Sequence, residues 1–374
     1  MAFWLFAALA IIVLNLTRNT SVRRYAWAAI NLGFVALLLH GLLVVVAFAI
    51  LAFYGLLRLI HSNSVATMTG LVSLFALLTL FVANKLGGGG LPFEIPTVLA
   101  AVGFSFVALR AFEVIRAVYE RTGAPPDPID LVNYLIPFHM LAAGPIQAFE
   151  EFRSAPTPPA VDKTLALEGL EAVARGLFKK FVVAFAVQSI FLNDFNSTGI
   201  HLLIEAMFFL FWLFLDFSAY SDIALGIGKL AGIHTPENFR NPLAARNLVD
   251  FWDRWHISLS RFIRRNIFIP IQLGLMRRTR QLSPLLIAAL ATTISFLLCG
   301  LWHGLTWGWL AWGIIHAAGL IGVRTYSNAL SKYCTAQQMA AYQNSWLIRL
   351  VAQVLTYVYV SVAFLPVFLM KTGA

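Results

Sequence analysis

Charge is scarce in this chain: only 12% of its 374 residues are charged, while 60% are hydrophobic. A soluble domain of this length needs a polar, water-facing coat that such a composition cannot supply, and the mean hydropathy of +0.78 says the same. Cysteine is nearly absent. Cys299 sits in an apolar run and Cys334 in a polar connection, so neither a disulfide framework nor a paired-thiol metal site can be built. Other signatures are missing too. There is no G-x-S-x-G nucleophile elbow and no G-x-x-x-x-G-K-[ST] phosphate loop, and the Gly87–Gly90 run lacks the lysine that would follow. No histidine pair has the i, i+4 spacing of a helical metal site, so no metal is expected.

What is present is a series of long apolar runs. About 20 apolar residues cross a bilayer as a helix, and Ala2–Leu16, Tyr25–Leu39, Gly41–Leu57, Val65–Asn84 and Thr97–Tyr119 each fit one crossing, some short or tilted. Leu165–Leu192, Leu202–Leu225, Ser283–Leu301, Thr306–Val323 and Trp346–Met370 continue the series. The first run has no basic residue ahead of it and Arg18, Arg23 and Arg24 behind it, so it reads as a retained span rather than a leader. The His40–Gly41 break and the Gly87–Gly90 run would face outside. Leu131–Phe149 is apolar but interrupted by Pro137, Gly144 and Pro145, which predicts a re-entrant or interfacial segment whose freed backbone groups the protein itself must satisfy. The fold class is therefore all-α: a polytopic transmembrane helical bundle of roughly nine to eleven spans, with re-entrant or interfacial helices, in one membrane domain over residues 1–374.

The formal charge of +10 would suggest nucleic acid in a soluble protein. In a membrane protein, Lys and Arg collect on the cytoplasmic side and meet anionic lipid, so the bilayer is the expected partner and nucleic acid is not. The densest positive block, Lys229–Arg280, belongs on that face. Within it, the period from Asp250 to Arg265 sets Phe251, Trp252, Trp255 and Leu259 on one face and Arg254, Ser258, Arg261 and Arg265 on another, predicting one basic amphipathic helix at the interface. His256 follows Asp253 by three residues, a spacing at which the carboxylate would orient the imidazole.

His303 lies in Gly300-Leu301-Trp302-His303-Gly304, inside an apolar stretch. A histidine at membrane depth is costly and marks a function facing the bundle interior, and its near-neutral pKa suits proton transfer. His316 lies on the following helix. Asp216 and Asp222 flank Phe217-Ser218-Ala219-Tyr220-Ser221, and carboxylates near hydrocarbon need partners, for which the arginines of the basic block or the histidines are available.

Taken together these segments resemble the membrane-bound O-acyltransferase family, in particular its bacterial branch of alginate O-acetylases and teichoic-acid D-alanyl transfer proteins. The resemblance runs from about Gly103 onward, through Gly103-Phe104-Ser105-Phe106, Pro137-Phe138-His139-Met140-Leu141-Ala142-Ala143-Gly144-Pro145-Ile146 and Asp216–Asp222. It continues with Glu237-Asn238-Phe239-Arg240-Asn241-Pro242, Asp250-Phe251-Trp252-Asp253-Arg254-Trp255-His256-Ile257-Ser258-Leu259-Ser260 and Leu301–Gly304. Asn266 departs from the aspartate that relatives often carry after the arginine.

The resemblance implies acyl transfer from a cytoplasmic thioester to a hydroxyl, with His303 as the buried catalytic histidine and His256 as the second, nearer the donor. His303 would sit at the narrow point of a central funnel or tunnel. Arg254, Trp255, Arg261, Arg264 and Arg265 would bind the donor, either acetyl-coenzyme A or the thioester of an acyl carrier protein, with no permanently bound cofactor. Asp216, Tyr220, Ser221, Asp222, Asn238, Trp252, Ser258, Trp302 and His316 would support the passage or its polar core. The bacterial cytoplasmic membrane is the implied location, a cell-envelope polymer the implied acceptor, and an extracytoplasmic acyltransferase or polysaccharide-modifying protein the implied partner. A transporter or flippase is the competing class, since broken helices and buried histidines also fit a substrate pathway.

Overall fold

The structure is a computed structural model and describes residues 2–17, 19–39, 43–62, 70, 103–122, 124–154, 161–192, 199–278 and 281–369. Among these residues every regular element is helical, in agreement with the all-α reading. In chain order they are α1 (Ala2–Leu16), α2 (Thr20–Leu38), α3 (Leu43–Ser62), α4 (Phe104–Tyr119), α5 (Pro128–Leu135), a 3-10 turn at Phe138–Met140 and α6 (Phe149–Ser154). Next come α7 (Lys163–Phe178), a π segment (Lys179–Ala184), α8 (Phe185–Phe191) and α9 (Ile200–Ala231). A 3-10 turn (Pro242–Ala244), α10 (Leu248–Arg254), α11 (Ile257–Ile263), a second π segment (Arg264–Phe268) and α12 (Ile269–Arg278) follow. The chain closes with α13 (Pro284–His303), α14 (Trp307–Tyr333), α15 (Ala336–Asn344), α16 (Trp346–Ala363) and α17 (Leu365–Leu369).

Four described helices are long and apolar enough to cross a bilayer: Leu43–Ser62, Ile200–Ala231, Pro284–His303 and Trp346–Leu369, with Ala2–Leu16 a shorter apolar one. The protein is a multi-pass membrane protein. Its outer surface is apolar as lipid contact demands, with Phe48 73% and Leu355 63% exposed. The spans expected at Val65–Asn84, apart from Gly70, and at the start of Thr97–Tyr119, together with the His40–Gly41 break and the Gly87–Gly90 run, lie outside the described residues.

The chain divides into two compact units, Met1–Leu177 with Ala219–Pro236, and Phe178–Ser218 with Glu237–Ala374. In the first, the broken segment after α5 is folded into the protein as expected. Its Phe138, 1% exposed, is ringed by Phe3, Phe6, Trp27 and Phe34 at centroid distances of 5.5–6.4 Å. The backbone groups freed by Pro137 and Pro145 find side-chain partners. Arg110, fully buried, donates to the carbonyls of Leu135 (3.1 Å), Met140 (2.8 Å) and Pro145 (3.3 Å), and Asn31 Oδ1 accepts from Phe138 N at 3.0 Å. Glu113 Oε2 accepts from Phe149 N at 3.1 Å. Irregular backbone inside a membrane protein persists only with such replacements.

In the second unit, α13 and α14 form a tight antiparallel pair. A Cβ on Gly300 would lie 2.3 Å from the Trp309 carbonyl oxygen, and one on Gly313 would lie 2.5 Å from that of Phe296. Helices in lipid gain little from hydrophobic burial against each other, so small residues that let backbones touch supply the packing.

The predicted single helix over 250–265 is corrected by the structure. The chain breaks at Trp255–His256, where His256 adopts φ 43° and ψ 53°, a left-handed conformation uncommon for a residue with a side chain. Neither face therefore runs through as an interfacial stripe. Trp255, 6% exposed, packs inside the protein against Phe239 (5.2 Å) and Phe251 (5.4 Å) rather than among acyl chains.

Candidate active site

The break at His256 is held by a strand-like pairing with the segment around Asn238. Arg240 N donates to Arg254 O at 2.9 Å and Ile257 N to Asn238 O at 2.9 Å. The Asn238 side chain then gathers the turn. Its Oδ1 accepts from Ser258 Oγ (2.8 Å) and Ser258 N (3.3 Å), and lies 3.0 Å from His256 Nδ1. A backbone N–H only donates, so the atom facing it is the amide oxygen, and His256 Nδ1 must carry the proton. The ring's basic lone pair is consequently on Nε2. The predicted orienting residue was Asp253, but a three-residue spacing works only on an unbroken helix, and Asn238 holds Nδ1 instead.

His256 is 3% exposed and lies in a connection outside the spans. Burial pulls its imidazole down to about 3, and the nearby His303 ring adds to the shift. It is neutral at physiological pH. Phe217 lies edge-on to the ring at 4.7 Å, walling it on that side.

His303 is the last residue of α13, with Gly304 as its C-cap. It is half-buried rather than sealed. Its ring stacks on Trp309 at 4.7 Å and 17°, with Trp302 at 4.7 Å and Trp312 at 5.5 Å in edge contact. Trp309 and Trp312 come from the first turns of α14, which the Gly300 and Gly313 contacts press against α13. One turn further along, His316 is 1% exposed. It sits against Trp312 (4.5 Å), Trp252 (5.2 Å) and Phe296 (6.0 Å), and neither ring nitrogen has a hydrogen-bond partner among the described residues. Trp252, Trp302, His316 and Ser258 thus gather around the two principal histidines within the second unit, as does Asn238.

The cationic residues are placed differently. Arg254 Nε is paired with Asp250 at 2.6 Å, and Asp250 also holds the chain entering α10 by accepting from Arg246 N at 3.0 Å. Arg261 and Arg264 are exposed and Arg265 is half-buried. All three lie on α11 or the π segment, where π geometry frequently marks functional positions. Asn266, in that segment, donates to Phe262 O at 3.0 Å. The two aspartates pair with cations that precede the basic block in the chain. Asp216 pairs with Lys180 in the second unit, and Asp222 pairs with Arg175 at 3.2 Å in the first. Tyr220 donates to His139 O at 3.3 Å, and Ser221 is buried nearby in sequence.

Three residues of this architecture were missed by sequence reasoning. Arg110 was the one to find, because an arginine within an apolar helix demands partners. His139, 1% exposed and 3.0 Å from Thr235 Oγ1 through Nε2, was passed over inside its motif. Trp309 carried no signal beyond its proximity to His303.

A multi-pass helical membrane protein with two electrostatically linked histidines, one neutral and tautomerically fixed and one half-open on a tryptophan shelf, defines the class. The chain belongs to the membrane-bound O-acyltransferase family, MBOAT, whose profile matches residues 1–365. A peptidoglycan O-acetyltransferase of Helicobacter pylori is 33% identical over 213 residues, 55% of this chain and 39% of that protein. A "Probable alginate O-acetylase AlgI" of Azotobacter vinelandii is 31% identical over 256 residues, 67% of this chain and 48% of that one. A teichoic acid D-alanyltransferase of Bacillus subtilis is 23% identical over 227 residues, 59% of this chain and 58% of that one. The chain spans about half the length of these curated relatives.

Proposed function

We propose that the chain is a membrane O-acyltransferase that moves an acyl group, acetyl in the first instance, from a cytoplasmic thioester to a hydroxyl. Residues 1–374 act as one acyltransferase domain in a bacterial cytoplasmic membrane. The acceptor is a cell-envelope polysaccharide or an extracytoplasmic partner protein that passes the group on. Relatives whose names specify O-acetylation of peptidoglycan or alginate, or D-alanylation of teichoic acid, support that substrate class.

The observation that carries the reading is the half-buried His303 imidazole, fixed by Trp309 and Trp302 beside a neutral His256. His303 takes the acceptor's hydroxyl proton as its oxygen attacks the thioester carbonyl. The tetrahedral intermediate then expels the thiolate, and His303 returns the proton to sulfur. A thioester already has a good leaving group, so the protein supplies orientation, proton transfer and oxyanion stabilisation. His256 sits on the donor side, its ring oriented by Asn238 toward that part of the site. Arg261, Arg264 and Arg265, with Arg254, attract the phosphates of acetyl-coenzyme A or of a carrier protein's phosphopantetheine arm, while Trp255 braces the turn that presents them. No permanently bound cofactor takes part.

The test is thiol release from labelled acetyl-coenzyme A, and separately from a charged carrier protein, with envelope acceptor present. A flippase would move its cargo without consuming thioester. His303→Ala is expected to remain folded in detergent and to lose about 10²- to 10⁴-fold in turnover. Wild-type turnover in that variant overturns the assignment of the base.

A further inference from the structure

The second unit holds a cavity of about 760 Å³ built from the 246–248 connection, the C-terminal half of α14, α15 and α16, with none of Trp302, His303, Trp309 or Trp312 in its lining. Its lining is mixed: Arg246, Arg349, Tyr326, Tyr342 and Ser327 contribute polar groups, and Val323, Leu330, Ile348 and Leu355 contribute apolar surface. No Asp or Glu lines it. Arg349 donates to the Gln343 and Asn344 carbonyls at 3.0 and 3.1 Å, and neither it nor Arg246 has an ion-pair partner among the described residues.

The cavity also opens toward lipid. Leu355 is 63% and Tyr326 52% exposed, and they continue into the apolar outer face of α16, where Leu347 is 54% and Val354 52% exposed. Trp346 and Tyr333, 73% and 75% exposed, stand where α16 begins and α14 ends, as aromatic anchors do at a membrane interface. From Arg349 to Leu355 is six residues, about 9 Å along a helix. That is a headgroup-to-acyl-chain descent. Two guanidinium groups without an ion-pair partner among the described residues, beside an apolar surface exposed to the bilayer, complement a net-negative amphiphile.

We propose that this cavity binds one anionic phospholipid of the cytoplasmic leaflet, with its phosphate between Arg246 and Arg349, its glycerol region against the Tyr326, Tyr342 and Ser327 hydroxyls, and an acyl chain along Ile348 and Leu355. The bound lipid braces the far end of α14, the helix whose first turns carry Trp309 and Trp312. The proposal stands independently of the acyl-transfer reading, since binding is measured without turnover.

The test is native mass spectrometry of the full chain released from nanodiscs containing phosphatidylglycerol and phosphatidylcholine together. One phosphatidylglycerol per chain is expected to be retained over phosphatidylcholine, and R246Q/R349Q is expected to lower that retention about 30-fold. Ala352→Trp, which fills the cavity without altering charge, is expected to expel the lipid as well. Should either variant fail to fold, a photoactivatable phosphatidylglycerol on the wild-type chain is expected to cross-link within 323–331 or 348–355. Retention unchanged in folded variants, cross-links confined elsewhere, or displacement of the lipid by coenzyme A through the same two arginines would each overturn the proposal.

Discussion

Two stretches of irregular backbone, 135–147 in the first unit and 237–258 in the second, solve the same problem with opposite results. In the first, a buried guanidinium neutralises the lone pairs of three carbonyls, and Asn31, Glu113 and Tyr134 take up further backbone groups. In the second, a neutral amide does the holding. Asn238 Oδ1 holds Nδ1 of His256 and so fixes the ring's tautomer and orientation without bringing a charge beside it. On the proposed reading the difference separates two uses: charge consumed in internal hydrogen bonds makes a scaffold, while an oriented neutral imidazole suits a reagent.

That contrast is open to direct attack. Arg110→Met strands three carbonyls, each worth about 1–3 kcal/mol when buried without a donor. The expected outcome is loss of monodisperse protein, or of several kcal/mol in a detergent unfolding curve, with Arg110→Lys intermediate. Asn238→Leu preserves volume but releases His256. Here the expected outcome is a folded protein whose kcat falls about 100-fold through misplacement, with a smaller change in KM, and partial rescue by Asn238→Asp, which keeps an acceptor oxygen. If Asn238→Leu collapses as Arg110→Met does, the distinction between scaffold and reagent fails.

The smallest effect concerns pH. His256 has a folded pKa of about 3, below the value near 6.5 of an unfolded chain. Between these values the unfolded state binds more protons, so the stability contributed by the neutral ring is complete above about 6.5 and declines as pH falls toward 3. Thermal unfolding across that window should be less pH-dependent in His256→Gln than in the wild type. An unchanged slope would place the acid sensitivity in other groups.

Much of this arrangement was readable from residue order, for physical reasons that also mark where reading stopped. Apolar run length fixes where helices cross lipid, and the α1, α3, α13 and α16 segments emerge from it directly. Pro137, Gly144 and Pro145 announce the broken segment because proline removes a donor wherever it falls. The break at Trp255–His256 has no such marker. Residues 250–265 keep a helical period throughout, and the kink arises from pairing with residues 238 and 240, a contact that no local pattern encodes. For the same reason Asp253 looked like the partner of His256. Asp216 and Asp222 needed cations, as their position near hydrocarbon implied, but spacing could not choose Lys180 and Arg175 over the arginines downstream.

The direct backbone contact between α13 and α14 at Gly300 and Gly313 has a mechanical result. With no side chain between them to compress or swing aside, the two helices shift as one stiff plate. Trp309, Trp312 and His316 therefore travel with His303 whenever it moves. On the proposed acyl-transfer reading, substrates entering on either side would meet a wall of fixed spacing, and adjustment to acyl groups of different size would have to come from the parts of the protein that face this plate.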